Sequence, residues 1–204
     1  MNPVAMTEHE VARAAAAARH ILESRLPSWL RYHDLAHTTE LVVPAAELLA
    51  ADENLDDDDR RSAVTAAWFH DIGFVERYED NEEIAAALAE EELVRVGVDA
   101  EAIDLVTGAI QATRLPQRPE GIVAEIVCDA DLFVLGTERF FERDARLREE
   151  LAASGTTYAD ADWDERQLSF IERHRYFTDA ARRRNDPTKA ANARELRRRA
   201  TGRR

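Results

Sequence analysis

The sequence contains one cysteine, Cys128, among 204 residues. An intramolecular disulfide is therefore excluded, and a reducing, cytoplasmic setting is the expectation. No stretch reads as a secretory signal or a membrane span, because Met1 to Met6 is short and leads straight into an amphipathic pattern. Strand alternation is missing, and so are a P-loop, a GxGxxG loop and any internal repeat. Positive charge is scarce as well, with a net balance of -14. Ten of the 27 basic residues fall in residues 182–204 against Asp186 and Glu195, which leaves 17 positive and 39 negative charges on the first 181 residues. So acidic a body repels a polyanion, and long nucleic acid is not an expected partner. The basic end reads as a solvated helix or tail that compensates the body, rather than as an RNA or membrane patch.

What is present is helical. The apolar fraction is 45%, rich in alanine, which forms helices readily and lets them pack closely. One all-α domain over residues 1–204 is expected, with a basic C-terminal segment from about residue 182. Thr7 and Glu10 form a capping box for a helix running to about Arg25. A second helix is expected from about Leu35 to Ala51, with Pro44 marking either a kink or a restart. The acidic run Asp52 to Asp59 reads as a loop whose last residue caps a buried helix from Arg60 to about Asp71. Ile72-Gly73 would end that helix through a left-handed glycine. Asn81 would cap a helix from Glu82 to Val96, and Asp99 one reaching about Thr113. Further helices are expected over Ile122 to Leu135, Thr137 to Ala152 and Trp163 to Ala181, and from Asp186-Pro187 onward.

Chemistry concentrates in Ala67-Trp68-Phe69-His70-Asp71-Ile72-Gly73-Phe74. A divalent ion takes neutral imidazoles and ionised carboxylates at roughly 2 Å, supplied by different rigid elements. Consecutive His70 and Asp71 can reach one ion only if it sits over a helix terminus. The remaining ligands would be His37, on the apolar side of its helix with Leu41, and Asp131 or Asp129. Those two aspartates lie in the apolar segment Ile126-Val127-Cys128-Asp129-Ala130-Asp131-Leu132, where an uncompensated charge would be costly.

Taken together, His37 within Tyr32-His33-Asp34-Leu35-Ala36-His37-Thr38, His70-Asp71, and Asp131 within Asp129-Ala130-Asp131-Leu132-Phe133-Val134-Leu135-Gly136 resemble the signature of the HD-domain superfamily of metal-dependent phosphohydrolases. The surrounding residues look more specifically like its predicted metal-dependent HD phosphohydrolase group. Asn81-Glu82, Ile110-Gln111-Ala112-Thr113, Arg148 with Glu150, Arg166, and Asn192 with Glu195-Leu196 are similar to segments of that group. The resemblance implies an HD-domain-like helical bundle holding one divalent ion, with manganese, iron, nickel, cobalt, zinc and magnesium left open. It favours Asp131 over Asp129 as the fourth ligand. Related chains often place another histidine after the Ile-x-x-Thr segment, whereas Arg114-Leu115-Pro116 follows here. No histidine occurs between His70 and His174, so a single ion is expected.

Such an ion would activate water against a small phosphorylated metabolite or nucleotide. Asp71 would be ligand and water-orienting group, and Glu82 an acid-base or outer-shell residue. Arg77 and Arg114 would clamp phosphate. His33, four residues before His37, would be an outer-shell or substrate contact. Two other readings fit the same residues: a non-catalytic metal-containing module that binds a nucleotide or protein, and a homodimer built on alanine-rich faces.

Overall fold

The computed structural model describes residues 6–202, so Arg203 and Arg204 of the basic end lie outside it. Helices α1 (Glu8–Arg25), α2 (Val43–Asp52), α3 (Asp57–Phe69), α4 (Asn81–Val96), α5 (Ala100–Ala112) and α6 (Ile122–Asp131) form the larger body. Helices α7 (Phe140–Ala153), α8 (Asp160–Arg173) and α9 (Asp179–Gly202) form the smaller one. The described residues contain no strand. The fold is an all-α helical bundle.

Alanine sets the spacing of the larger body. Ala14 and Ala18 of α1, Ala46 and Ala50 of α2, Ala63, Ala66 and Ala67 of α3 and Ala85 and Ala89 of α4 are all fully buried. Leu49, Phe69, Ile72, Leu93, Ile110 and Ile126 fill what the small side chains leave. A separate apolar cluster of Leu132, Leu135, Phe140, Ile171 and Leu196 unites the smaller body. Between the two bodies runs the turn after α6, and the polar residues gather there.

Several boundaries depart from the sequence-based expectation for identifiable reasons. The Leu35–Ala51 helix is two elements: a widened π-turn over His37–Val42, then α2, in which Pro44 occupies the tolerated first turn. The acidic run is partly helical, because Asp56 rather than Asp59 is the cap. Its Oδ1 accepts the N–H groups of Asp58 at 3.1 Å and Asp59 at 2.9 Å, and Asp57, Asp58 and Asp59 sit in the first turn where the helix dipole favours them. Asp80, at φ 53, precedes α4, so Asn81 is the first helical residue and not the cap. Helix α6 stops at Asp131 and is followed by a 3₁₀ turn, Phe133–Gly136. The Thr137–Ala152 helix begins only at Phe140.

The expected Trp163–Ala181 helix breaks after Arg173, and α9 starts at Asp179 and runs through Pro187. Tertiary bonds override the proline signal. Asn185 Nδ2 donates to Phe133 O at 2.7 Å, and Asn192 Nδ2 donates to Leu135 O and Thr137 O at 3.0 Å each. Helix α9 thereby caps the carbonyls that follow α6.

Gly73 does not adopt a left-handed conformation. It is needed because α4 packs directly on it: a Cβ at this position would stand 1.9 Å from the Asn81 carbonyl oxygen. Gly73→Ala is therefore expected to destabilise the protein by about 3 kcal/mol or more, since backbone must move to relieve the overlap. Thermal unfolding in chelator checks this, and an unchanged midpoint would refute the packing account.

Candidate metal centre

Buried helix α3 ends at Phe69, and the next two residues turn toward one point. His70 is fully buried, with Nδ1 2.8 Å from Ala67 O. A proton on Nδ1 makes that hydrogen bond, which fixes the ring and presents Nε2 outward. Asp71 leaves the helix in the bridge region, at φ -110 and ψ 4, which swings its carboxylate back over the helix end. Its Oδ2 is 3.1 Å from His70 Nε2 and 3.4 Å from His37 Nε2. His37 begins the π-turn, its backbone N–H donating to Asp34 Oδ1 at 2.9 Å. The two imidazole Nε2 atoms are 3.4 Å apart. Asp131, the last residue of α6, places Oδ1 3.4 Å from His37 Nε2 and 3.8 Å from His70 Nε2.

These separations suit atoms sharing one ion, since neighbouring ligands about 2 Å from a metal stand roughly 3–3.5 Å apart. His37, His70 and Asp131 could hold a metal ion, with their ligand atoms all within 4.8 Å of one another. Asp71 Oδ2 supplies the independent test of fit. It is buried and has no hydrogen-bond partner. An anionic oxygen shut off from water, with only two imidazole nitrogens beside it, must be balanced by a proton held on His70 or by a cation in its place. His37 Nδ1 is similarly buried without a partner.

Protonation reflects the same crowding. Burial works against a charged His70, but Asp71 and then Asp131 outweigh it and push its pKa up to about 9. Burial would raise the Asp71 pKa; His70, His33 and His37 reverse that and hold it well below the ordinary carboxylate range. His37 stays below the ordinary histidine value because burial dominates. A cation must displace the His70 proton to bind. Metal affinity is therefore expected to rise about tenfold per pH unit as pH climbs toward 9 and to level off above it. Calorimetric titrations from pH 6.5 to 9.5 in buffers of different ionisation enthalpy would measure affinity and proton release together. A pH-independent affinity would contradict this assignment.

A cavity of about 420 Å³ opens beside the cluster, and Asp71 and Asp131 form part of its wall. His33 and Glu82 line it too. Burial raises the Glu82 pKa, with Asp71 and Asp131 adding to the effect. His33 stacks on Phe74 at 4.2 Å between ring centroids, and its Nδ1 is 2.5 Å from Glu150 Oε1. Burial opposes charge on His33, yet Glu150, with Asp71 and Asp131, raises its pKa above the ordinary value.

Arg77 and Arg114 are elsewhere. Neither lines the cavity, and both turn to acidic partners: Arg77 to Glu83 at 3.6 Å, Arg114 to Glu83 at 3.2 Å and to Asp80. In this structure neither arginine stands over the cluster. Arg143 and Arg166 are the arginines that reach the cavity wall alongside Arg173. Asp129 is also separate. Its carboxylate accepts Phe177 N–H, Thr178 N–H and Thr178 Oγ1, each at 2.8 Å, and so holds the segment that leads into α9.

Sequence reading named Glu150 only as part of a family-like segment and assigned none of the supports a role. Fully buried Glu150 accepts the N–H groups of Tyr32 at 2.7 Å and His33 at 3.0 Å, and the Tyr78 hydroxyl at 3.0 Å. Arg143, also fully buried, donates to Tyr32 O and pairs with Asp34 at 3.3 Å. Together they lock the segment that carries His33 and His37. Gln117 Nε2 steadies Asp131 through Oδ2 at 3.4 Å. No sequence spacing pointed to these contacts, which join residues up to 118 positions apart.

No protein-family model matches this sequence, and no curated protein does. Two solved structures match it. Bacillus subtilis YpgQ, crystallised in complex with ADP, is 23% identical, with a TM-score of 0.65 over 93% of this chain and 94% of that one. A Lactobacillus plantarum protein is 15% identical, with a TM-score of 0.69 over 94% and 95%. Both share this fold. The match extends over both helical bodies, so the junction that carries the cluster lies within the common architecture. Among the described residues no helix is long and apolar enough to cross a membrane.

Proposed function

We propose that this protein is a metal-dependent phosphohydrolase of the HD-domain type, acting on a small phosphorylated molecule. The observation that carries the proposal is the convergence of His37, His70, Asp71 and Asp131, with Asp71 Oδ2 buried and lacking a hydrogen-bond partner beside an open cavity. Those four residues would hold the ion. A divalent cation supplies charge that offsets the phosphoryl oxygens and acidifies bound water.

The chain's own residues complete the chemistry. His33, whose pKa Glu150 raises against the effect of burial, offers a ring N–H to a phosphate oxygen at the cavity wall. Glu82 retains its proton to higher pH than an exposed glutamate, which suits a group that receives and returns protons near the cluster. Buried Arg143 sets the position of Tyr32 and, through Asp34, of His37. The ADP bound by YpgQ supports a nucleotide-sized ligand for this cavity. An acidic surface with local positive charge is consistent with a small phosphate ester rather than a polymer.

The test is metal analysis joined to a panel of phosphomonoesters, phosphodiesters and mononucleotides, each assayed with and without manganese, cobalt, zinc or magnesium. Metal-dependent release of phosphate or pyrophosphate supports the proposal. A protein that binds one equivalent of ion yet cleaves nothing would be the non-catalytic module instead.

A further inference from the structure

Helix α5 carries two apolar seams. Ile103, Val106, Ile110 and, just past the helix end, Thr113 are buried, at a spacing of three, four and three. Leu105, Gly108, Ala112 and Leu115 repeat that spacing two positions later, and two residues turn a helix by about 200°. The second seam therefore faces away from the core. Leu105 is 38% exposed and Leu115 57%. All four residues line a groove of about 580 Å³ over α5 and the chain that leads into α6. The other large exposed apolar side chains are scattered: Trp29 on the segment after α1, Leu48 on α2 and Val94 on α4.

Gly108 has no packing duty within the folded chain. A Cβ there would meet nothing within 4 Å, so the glycine weakens its helix without relieving any overlap. What it does is keep the seam low between two leucines. The order large, small, small, large reads alike in both directions, which suits a two-fold axis near Ile110. Two copies so related set Leu105 of each against Leu115 of the other, and Gly108 and Ala112 let the helices approach closely between them. Charge on the rim fits the same partner. Asp104 and Arg118 both line the groove and are exposed, and among the described residues neither side chain is in an ion pair. The same axis brings Asp104 of one copy within reach of Arg118 of the other. An acidic body repels a copy of itself in general, whereas here opposite charges meet.

We propose that this groove seats a second copy of the chain, in a two-fold dimer held by Leu105, Gly108, Ala112 and Leu115 and steered by two Asp104–Arg118 pairs. The dimer also serves the cavity beside the metal centre. Leu115 lines that cavity as well as the groove, and on the same turn Gln117 Nε2 donates to Asp131 Oδ2 at 3.4 Å. The partner thus covers Leu115 and braces the turn that steadies Asp131. The interface does not depend on the phosphohydrolase reading above.

The experiment is sedimentation equilibrium of the full chain over a concentration series, with the dimer expected for the unmutated protein. Leu105→Glu should weaken association by about thirtyfold or more, since it forces a carboxylate into the interface centre. Gly108→Ala should leave the thermal unfolding of the monomer no lower and yet weaken association about tenfold, a split that a defect of the fold could not give. Asp104→Arg and Arg118→Asp should each weaken it about tenfold, and the double variant should recover it. A dimer indifferent to all of these substitutions, or a chain still monomeric at about 1 mM, overturns the inference. Amide exchange of the unmutated protein decides the matter even if no variant folds. Residues 104–118 should gain protection as concentration rises, and protection gained only elsewhere, or nowhere, overturns the proposal.

Discussion

Asp71→Ala should lose metal binding and hydrolysis together while the folded protein survives. Four-ligand structural sites hold their ion with about 10–16 kcal/mol, so one ligand accounts for about 3–4 kcal/mol, or roughly a hundred- to a thousandfold in affinity. Survival of the fold follows from the electrostatics. Without metal, the Asp71 charge is balanced by the proton that it helps hold on His70. Remove the carboxylate and His70 can release that proton, leaving no isolated buried charge. In chelator, the melting temperatures of wild type and Asp71→Ala should therefore agree within a few degrees. On adding manganese, only the wild type should gain stability, because an ion stabilises the state that binds it. A variant that still gains stability with metal, or keeps metal-dependent turnover, would exclude Asp71 from the ligand set.

The second large effect is expected at Glu150, which touches no ligand atom. Glu150→Ala strands the Tyr32 and His33 amides, the His33 ring and the Tyr78 hydroxyl, and leaves a void in their midst. Breaking a buried charged pair by removing one partner costs about 3–5 kcal/mol. For a chain of this size that corresponds to a fall in melting temperature of about 10 °C. Glu150→Gln keeps the volume and one acceptor and should lose less.

The pH dependence separates this pair from a purely steric role. The raised His33 pKa gives stability that is fully present below the ordinary value of about 6.5 and fades as pH rises through the shifted one. Burial alone would raise the Glu150 pKa, but its bonds to His33 and Tyr32 lower it, giving stability that is present above about 4.3 and lost in acid. The wild-type advantage over Glu150→Gln should thus be greatest between about pH 4.3 and 6.5 and should narrow on either side. Denaturant titrations across pH 4 to 9 would measure it. An advantage independent of pH would mean that Glu150 acts only by packing.

The all-α class could be read from residues that act locally. The Thr7–Glu10 capping box and the Asp99 cap formed as their sequences required, with Asp99 accepting the Glu101 N–H at 3.0 Å. The His37, His70, Asp71 and Asp131 group was legible chiefly through its resemblance to the HD-domain signature, helped by the cost of leaving histidine and aspartate uncompensated in apolar segments. Where the sequence misled, a remote partner had intervened. Residue placement left Asp129 and Asp131 open, since the two lie on the same short helix, and only the family resemblance favoured Asp131. Only the approach of Phe177 and Thr178 commits Asp129 to backbone amides, leaving Asp131 to face the imidazoles. Pro187 read as a helix start, but Asn185 and Asn192 dock α9 on the turn after α6 and carry the helix through it. Arg77 and Arg114 looked available until Asp80 and Glu83 were placed beside them.

The amino-acid order alone determined the helical class and the alanine-dominated close packing, because those depend on periodicity, capping and side-chain size, and it offered His37, His70-Asp71 and one of two aspartates as ligands through their resemblance to a family signature. Tertiary structure decided that Asp129 turns to backbone amides while Asp131 faces the imidazoles, what steadies His33, and that a cavity adjoins the cluster. Each of those depends on groups brought together from distant parts of the chain, and hydrogen-bond partners at such separations leave no local mark in the sequence.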